Sequence, residues 1–238
     1  MSISKGSVTI GSVYLGSTKI ASAYLGNVKV YESVDPYNPL GLPPYTIRLK
    51  FTSGVTPTFS KGTAVQVSSS PDNVWDLTYE DSQWNQLLNG QTDLIEIIGA
   101  NSTGVTNMKS FVAGDTSLTT IPIFDTSAVD DFTSAFQSCS SLTSLPIFDV
   151  HSSTKLSYLC YGCSELTEVP LLKFKNYSVV SYAFSGCYKV QNGALALYQT
   201  TARLDTTHRD CFKNCGRDTV TGAAELAQIP SSWGGTGA

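Results

Sequence analysis

From residue 94 onward the chain repeats itself every 24 residues. Leu118, Leu142, Leu166 and Val190 are equally spaced, and so are the pairs Ile121-Pro122, Leu145-Pro146 and Val169-Pro170. Cys139, Cys163 and Cys187 keep the same step, with Asp115 one step before them, and Phe136, Cys160 and Phe184 precede the cysteines by three. Ile97 and Val105 carry the register upstream, while Phe212 and Cys215 restore the Phe-x-x-Cys pair after an insertion of four residues. A unit this short buries little by itself. Stacked units share one continuous core and need a cap at each end. About five coils are expected between 94 and 217.

A different repeat opens the chain. Gly6, Gly16 and Gly26 recur every ten residues, as do Ile10, Ile20 and Val30, and Val13-Tyr14-Leu15 is echoed by Ala23-Tyr24-Leu25. Each unit reads as a short apolar strand, a Gly-Ser or Gly-Asn turn, and a second short strand, because such dipeptides supply the positive φ of tight hairpins. Strands this short cannot hold a core alone. Residues 1–33 are therefore expected to pack on another chain or on copies of themselves, with Tyr14, Leu15, Ile20, Tyr24, Leu25 and Val30 as the assembly residues. Residues 34–45 form a proline-rich linker, with Pro36, Pro39, Pro43 and Pro44 favouring an extended, stiff spacer.

Residues 46–93 read as a small α+β cap for the repeat. Tyr45 to Phe51 alternates at period two, Ala64–Val67 and Val74–Tyr79 read as further strands, and Asp81–Leu88 reads as a short helix capped by Asp81 or Ser82. Residues 218–238, with Ile229-Pro230 and Trp233, would cap the other end.

Ser140-Ser141-Leu142-Thr143-Ser144-Leu145-Pro146-Ile147-Phe148-Asp149, Phe124-Asp125-Thr126-Ser127 and Tyr182-Ala183-Phe184-Ser185-Gly186-Cys187 resemble BspA-like leucine-rich repeats. They are also similar to the related 25-residue repeats of bacterial lipoproteins. The resemblance covers residues 94–217, with Val112 and Cys160 in place of the aromatic and Lys173 breaking the row of Asp125 and Asp149. It implies a short strand around Leu142 to Ile147 on one face and a helical turn from Tyr182 to Cys187 on the other. The expected fold is thus mainly β: short N-terminal β-hairpin repeats, then a leucine-rich-repeat solenoid with caps. The whole layout resembles virion appendage proteins of tailed bacteriophages. That likeness implies an N-terminus that trimerises and attaches to the particle, and a distal domain turned outward.

Composition sets limits on partners. The formal charge is −4 and charged residues make up 14% of the chain, with no basic run; neither suits a nucleic-acid-binding surface. No stretch approaches the ~18 apolar residues of a membrane span. The first residues are broken by Gly and Ser, unlike a secretory leader, so the six cysteines are expected as thiols made in a reducing compartment.

Candidate chemistry is sparse. Cys160-x-x-Cys163 has redox spacing, but Cys163 belongs to the repeat and Cys160 fills the aromatic slot. His208, Cys211 and Cys215 could offer three zinc ligands, without a fourth in reach of the pattern. Asp125 and Asp149 fall on neighbouring coils and could be a glycosidase pair if set about 5–9.5 Å apart. An aspartate in that strand-to-turn place more simply accepts from backbone amides. There is no nucleophile elbow, P-loop or dinucleotide fingerprint, and only two histidines. No catalytic, cofactor or metal residue is assigned. Trp75 and Trp84 are expected to pack the cap onto the first coil. Tyr158, Tyr161, Tyr177 and Tyr188, clustered in the third and fourth coils, form the expected ligand face. The expected function is non-enzymatic: a virion head or tail fibre or decoration protein, a homotrimer held to other virion proteins by residues 1–33, meeting a host-surface glycan or protein. A bacterial cell-surface adhesin is the alternative, and a glycan hydrolase a further one.

Overall fold

The computed structural model describes residues 35–69 and 72–237, together with four short strands between residues 14 and 32. Strands β1 (Tyr14–Leu15) and β2 (Thr18–Lys19) pair antiparallel, Leu15 opposite Thr18. Strands β3 (Ser22–Leu25) and β4 (Val28–Glu32) do the same, Leu25 opposite Val28. Two residues join each pair, at Gly16-Ser17 and Gly26-Asn27, which is the loop length that Gly-x dipeptides favour.

Residues 46–101 build one antiparallel sheet in the order β6-β7-β5-β8, from β5 (Thr46–Phe51), β6 (Thr63–Ser68), β7 (Asn73–Thr78) and β8 (Leu94–Asn101). Alternation along β5 buries Ile47, Leu49 and Phe51, and Arg48 on the opposite face grips Asp76 with two hydrogen bonds of 2.7 and 2.8 Å. Strand β8 is the junction. One edge pairs with β5, while on the other side the carbonyl of Ile95 accepts from Thr119 and Glu96 bridges Thr120 in parallel. The sheet thus hands directly over to the repeats.

The repeats stack in register. Parallel bridges join Gln83 to Asn107, Asn107 to Asp131, Asp131 to Lys155, Lys155 to Val179 and Val179 to Thr207. The buried columns match the sequence period: Leu118, Leu142, Leu166 and Val190 are all fully buried, as are Phe136, Cys160, Phe184 and Phe212. Each such side chain withdraws apolar surface worth about 1.5–3 kcal/mol from water. Phe136 stacks on Phe148 at 5.7 Å and Phe184 on Phe212 at 6.2 Å, tying coil to coil.

The expected helical turn from Tyr182 to Cys187 is instead a pair of tight turns. In the coil of residues 108–115, the amides of Met108, Ser110, Val112 and Gly114 donate to the next coil at 2.8–2.9 Å. The amides of Phe111, Ala113 and Asp115 close local turns three residues back. Serving both directions forces a left-handed residue twice per coil: Ser110 and Gly114, Ser134 and Ser138, Tyr158 and Gly162, Tyr182 and Gly186, Asp210 and Asn214. An α-helix cannot hold those conformations.

The same geometry corrects two further expectations. Residues 81–88 form no helix. They make an additional coil, with Trp84, Gln86, Leu88 and Gly90 donating to the carbonyls of Asn107, Lys109, Phe111 and Ala113, and Gln86 left-handed at φ 57. Trp84 is therefore itself a repeat side chain, fully buried and stacked on Phe111 at 5.7 Å. Around Leu142 to Ile147 the chain is extended without a continuous ladder. The amide of Thr143 donates to Thr119, but Pro146 has no N–H to continue the pairing.

The four-residue insertion is taken up by helix α1 (Ala194–Thr201), beside helix α2 (Val220–Leu226). At the far end Trp233 is buried against the last coil, its ring 4.0 Å from that of His208 and its carbonyl accepting from Phe212. No helix among the described residues is long and apolar enough to cross a membrane.

Candidate functional site

Six residues were expected to hold the N-terminal assembly. Ile20 lies outside the described residues. Tyr14 and Leu15 fall in β1, Tyr24 and Leu25 in β3, and Val30 in β4.

Of the four tyrosines of the expected ligand face, the fold brings two together. Tyr158 and Tyr161 are 38% and 39% exposed and meet edge to face at 5.7 Å. Tyr182, absent from the expected set, completes the group: its ring stacks on Tyr158 with centroids 5.0 Å apart and planes 9° apart. The Arg209 guanidinium lies over the other side of the stack, 5.9 Å from the Tyr182 ring. Tyr182 follows Tyr158 by one period, so the register itself was the signal that could have found it. Tyr188 belongs elsewhere, half-buried beneath Arg217 at 4.1 Å. Tyr177 is 73% exposed and stands apart from both groups.

The opposite side of the stack carries a second surface. Ile123, Ile147 and Leu171, one per coil, are 45%, 62% and 43% exposed. They border two hollows. One, of about 260 Å³, is closed at its edge by linker residue Tyr37. The other, of about 620 Å³, runs from Leu145 and Val169 to Gly193 and Glu225. Glu225 is engaged there, accepting from the amides of Gly193 and Leu195 at the start of α1.

The buried interior holds one unusual group. All six cysteines are buried thiols. Cys139, Cys163 and Cys187 donate to the carbonyls of Val112, Phe136 and Cys160, each 27 residues back, at 3.0–3.1 Å. Burial pushes the thiols of Cys139, Cys160, Cys187 and Cys215 well up, and that of Cys211 to about 12. Such thiols are poor nucleophiles and poor metal ligands. Asp115 heads this column. It is fully buried and neither carboxyl oxygen has a hydrogen-bond partner. Desolvation raises its pKa to about 9, opposed in part by the nearby amides of Gln91 and Gly90, which are themselves bonded to the carbonyls of Leu88 and Ala113, so the group is protonated at neutral pH.

The remaining polar candidates are tied to their own chain. Asp125 accepts from the amide and hydroxyl of Ser127 at 3.0 and 2.7 Å. Asp149 accepts from the amide of His151 and pairs with its ring, and these contacts lower its pKa. Asp131 turns to the amide of Thr133. His208 stacks on Trp233, with Nδ1 at 3.0 Å from the carbonyl of Thr206. No group of three His, Cys, Asp or Glu residues is arranged to hold a metal ion among the described residues.

Six copies of the BspA type leucine rich repeat region match this chain, over residues 88–191 and 115–233. The match begins earlier and ends later than the 94–217 read from the sequence, in keeping with the coil at Trp84 to Gly90. No curated protein and no solved structure matches.

Proposed function

Because the chain belongs to the BspA-type leucine-rich repeat family, we propose that it is a non-enzymatic display protein: residues 1–33 assemble and anchor it, and a leucine-rich solenoid, against which linker residues Tyr37 and Leu42 pack, is turned outward. The repeat region itself suggests a surface or adhesion-type protein. The finer reading is a virion head or tail fibre or decoration protein that meets a host-surface glycan or protein.

The observation that carries this reading is the N-terminal architecture. β1–β2 and β3–β4 are each a two-stranded sheet, and an isolated hairpin is marginally stable in water. Copies of the segment packed on one another would supply the missing core. A trimer would also multiply weak contacts of the distal domain through effective concentration. The carboxylates of Asp125 and Asp149, which bond to their own turns, fit a scaffold better than a hydrolase.

Mass spectrometry of purified phage particles from the source culture tests the virion reading. The chain is expected in the particles at a fixed copy number. Recovery from the cell envelope alone contradicts it and leaves the adhesin, a reading that rests on the family.

A further inference from the structure

Two columns of residues run along the turn face, one position per coil. The first is Gln86, Ser110, Ser134, Tyr158, Tyr182 and Asp210, all left-handed with φ between 52 and 59°. The second is Asn89, Ala113, Gln137, Tyr161, Ser185 and Lys213. The backbone makes the same demand of every residue in the first column, and serine meets it twice. The left-handed cost of roughly 1–2 kcal/mol falls on serine and tyrosine alike, but the tyrosine also leaves more than a third of Tyr158 in water. The stack of Tyr158, Tyr182 and Arg209 therefore adds rigid aromatic surface that the fold does not require.

On the side of the preceding coil the tyrosine stack ends. The register positions there are Ser134, too short to cover a ring, and Gln137. One coil further back Ser110, Ala113 and Gly114 leave a hollow of about 310 Å³, walled by Asn89, Gln137 and Ser138. The amide oxygen of Asn89 reaches within 4.0 Å of the place a side chain on Gly114 would occupy. The lining offers amides and hydroxyls, which both donate and accept, and no charged group. Lys109 adjoins Ser110 in sequence but is not among the lining residues, and Arg209, beyond the stack, is drawn to Tyr182 and to Asp210.

We propose that this strip, from the hollow at Ala113 to Tyr158 and Tyr161, binds a neutral oligosaccharide laid along the stack. The inference rests on the display reading and names its ligand class. Coils follow one another at roughly 4.8 Å, close to the length of one pyranose. About two to three sugar units therefore span the strip. The apolar C–H face of one unit rests on Tyr158. Its neighbours place their hydroxyls against Gln137, Ser138, Ser110 and Asn89. An anionic glycan finds no free cation in the hollow.

The test is a panel of immobilised neutral gluco-, galacto- and manno-oligosaccharides, with sialylated and sulfated ones beside them, probed with the full chain. Tyr158→Ser carries the residue that Ser110 and Ser134 supply in earlier coils, so it should stay folded, with a melting temperature lowered only by the lost ring contacts to Tyr161 and Tyr182. A neutral oligosaccharide is expected to bind, and Tyr158→Ser and Gln137→Ala are each expected to weaken it about tenfold. Binding of none of the neutral sugars, binding of anionic sugars only, or binding untouched by Tyr158→Ser overturns the inference. Those results leave the display reading standing, because that reading is decided by the presence of the chain in particles.

Discussion

Asp115 and Cys139 occupy the same place in successive coils, yet the thiol has a partner and the carboxyl has none. Cys139 donates to the carbonyl of Val112 at 3.1 Å. Both Asp115 oxygens are buried and unpaired. The equivalent acceptor for residue 115 is the carbonyl of Leu88, 27 residues back. Asp115→Cys is expected to place a thiol on it and raise stability by about 1–3 kcal/mol at acid pH, the usual penalty of an orphaned buried polar group. There the carboxyl is protonated in folded and unfolded chains alike; at neutral pH the gain is larger. Urea denaturation of the two proteins measures it.

The same residue sets a pH dependence. Its folded pKa, about 9, stands above the ordinary 3.8, so the folded state holds a proton that the unfolded chain gives up. The contribution is full below about pH 3.8, declines as pH rises, and is lost once pH passes about 9. Asp115→Asn removes that decline. Melting curves from acid to alkaline pH should match for the two proteins at the acid end and diverge steadily above it, the variant being the more stable.

The thiols are expected to be silent in the native protein. Iodoacetamide at about pH 8 should label none of the six until denaturant is added, and then all of them. Labelling of Cys163 or Cys187 in the folded state would show that the stack opens between coils.

Gly193 has no room for a side chain. Its φ is 94°, and a Cβ there would lie 2.2 Å from the carbonyl oxygen of Val169. Gly193→Ala is expected to cost at least about 2 kcal/mol, from left-handed strain and a backbone clash together. Loss of the Glu225 contacts should fray α1, which circular dichroism would register with the drop in melting temperature.

The stack was legible in the sequence because burial recurs at fixed spacing. Leu142, Cys163 and Phe184 announced their columns without any knowledge of backbone conformation. The coil at Trp84 was missed for a physical reason. Trp84, Leu87 and Leu88 fall at i, i+3 and i+4, the spacing of a helix face, and Met108, Phe111 and Val112 have that spacing too. A left-handed residue between them, Gln86 or Ser110, turns the pattern into tight turns, and neither residue type demands that conformation. Pro122, Pro146 and Pro170 were read as register marks, yet they also stop a continuous strand. Of the tyrosines, Tyr158 and Tyr161 share a turn and met as neighbours. Tyr182 was one period away and visible. Tyr177 and Tyr188 align with Ser153 and Ser164 of the preceding coil, not with Tyr158 and Tyr161, so the register already set them apart.

The central claim is a division of labour, with assembly in residues 1–33 and display in the repeats. Sedimentation equilibrium of the full chain and of a chain starting at residue 34 tests it most directly. A trimer that falls to a well-folded monomer on truncation is the predicted result. A monomeric full chain, or a truncated chain that keeps the same number of copies, contradicts it.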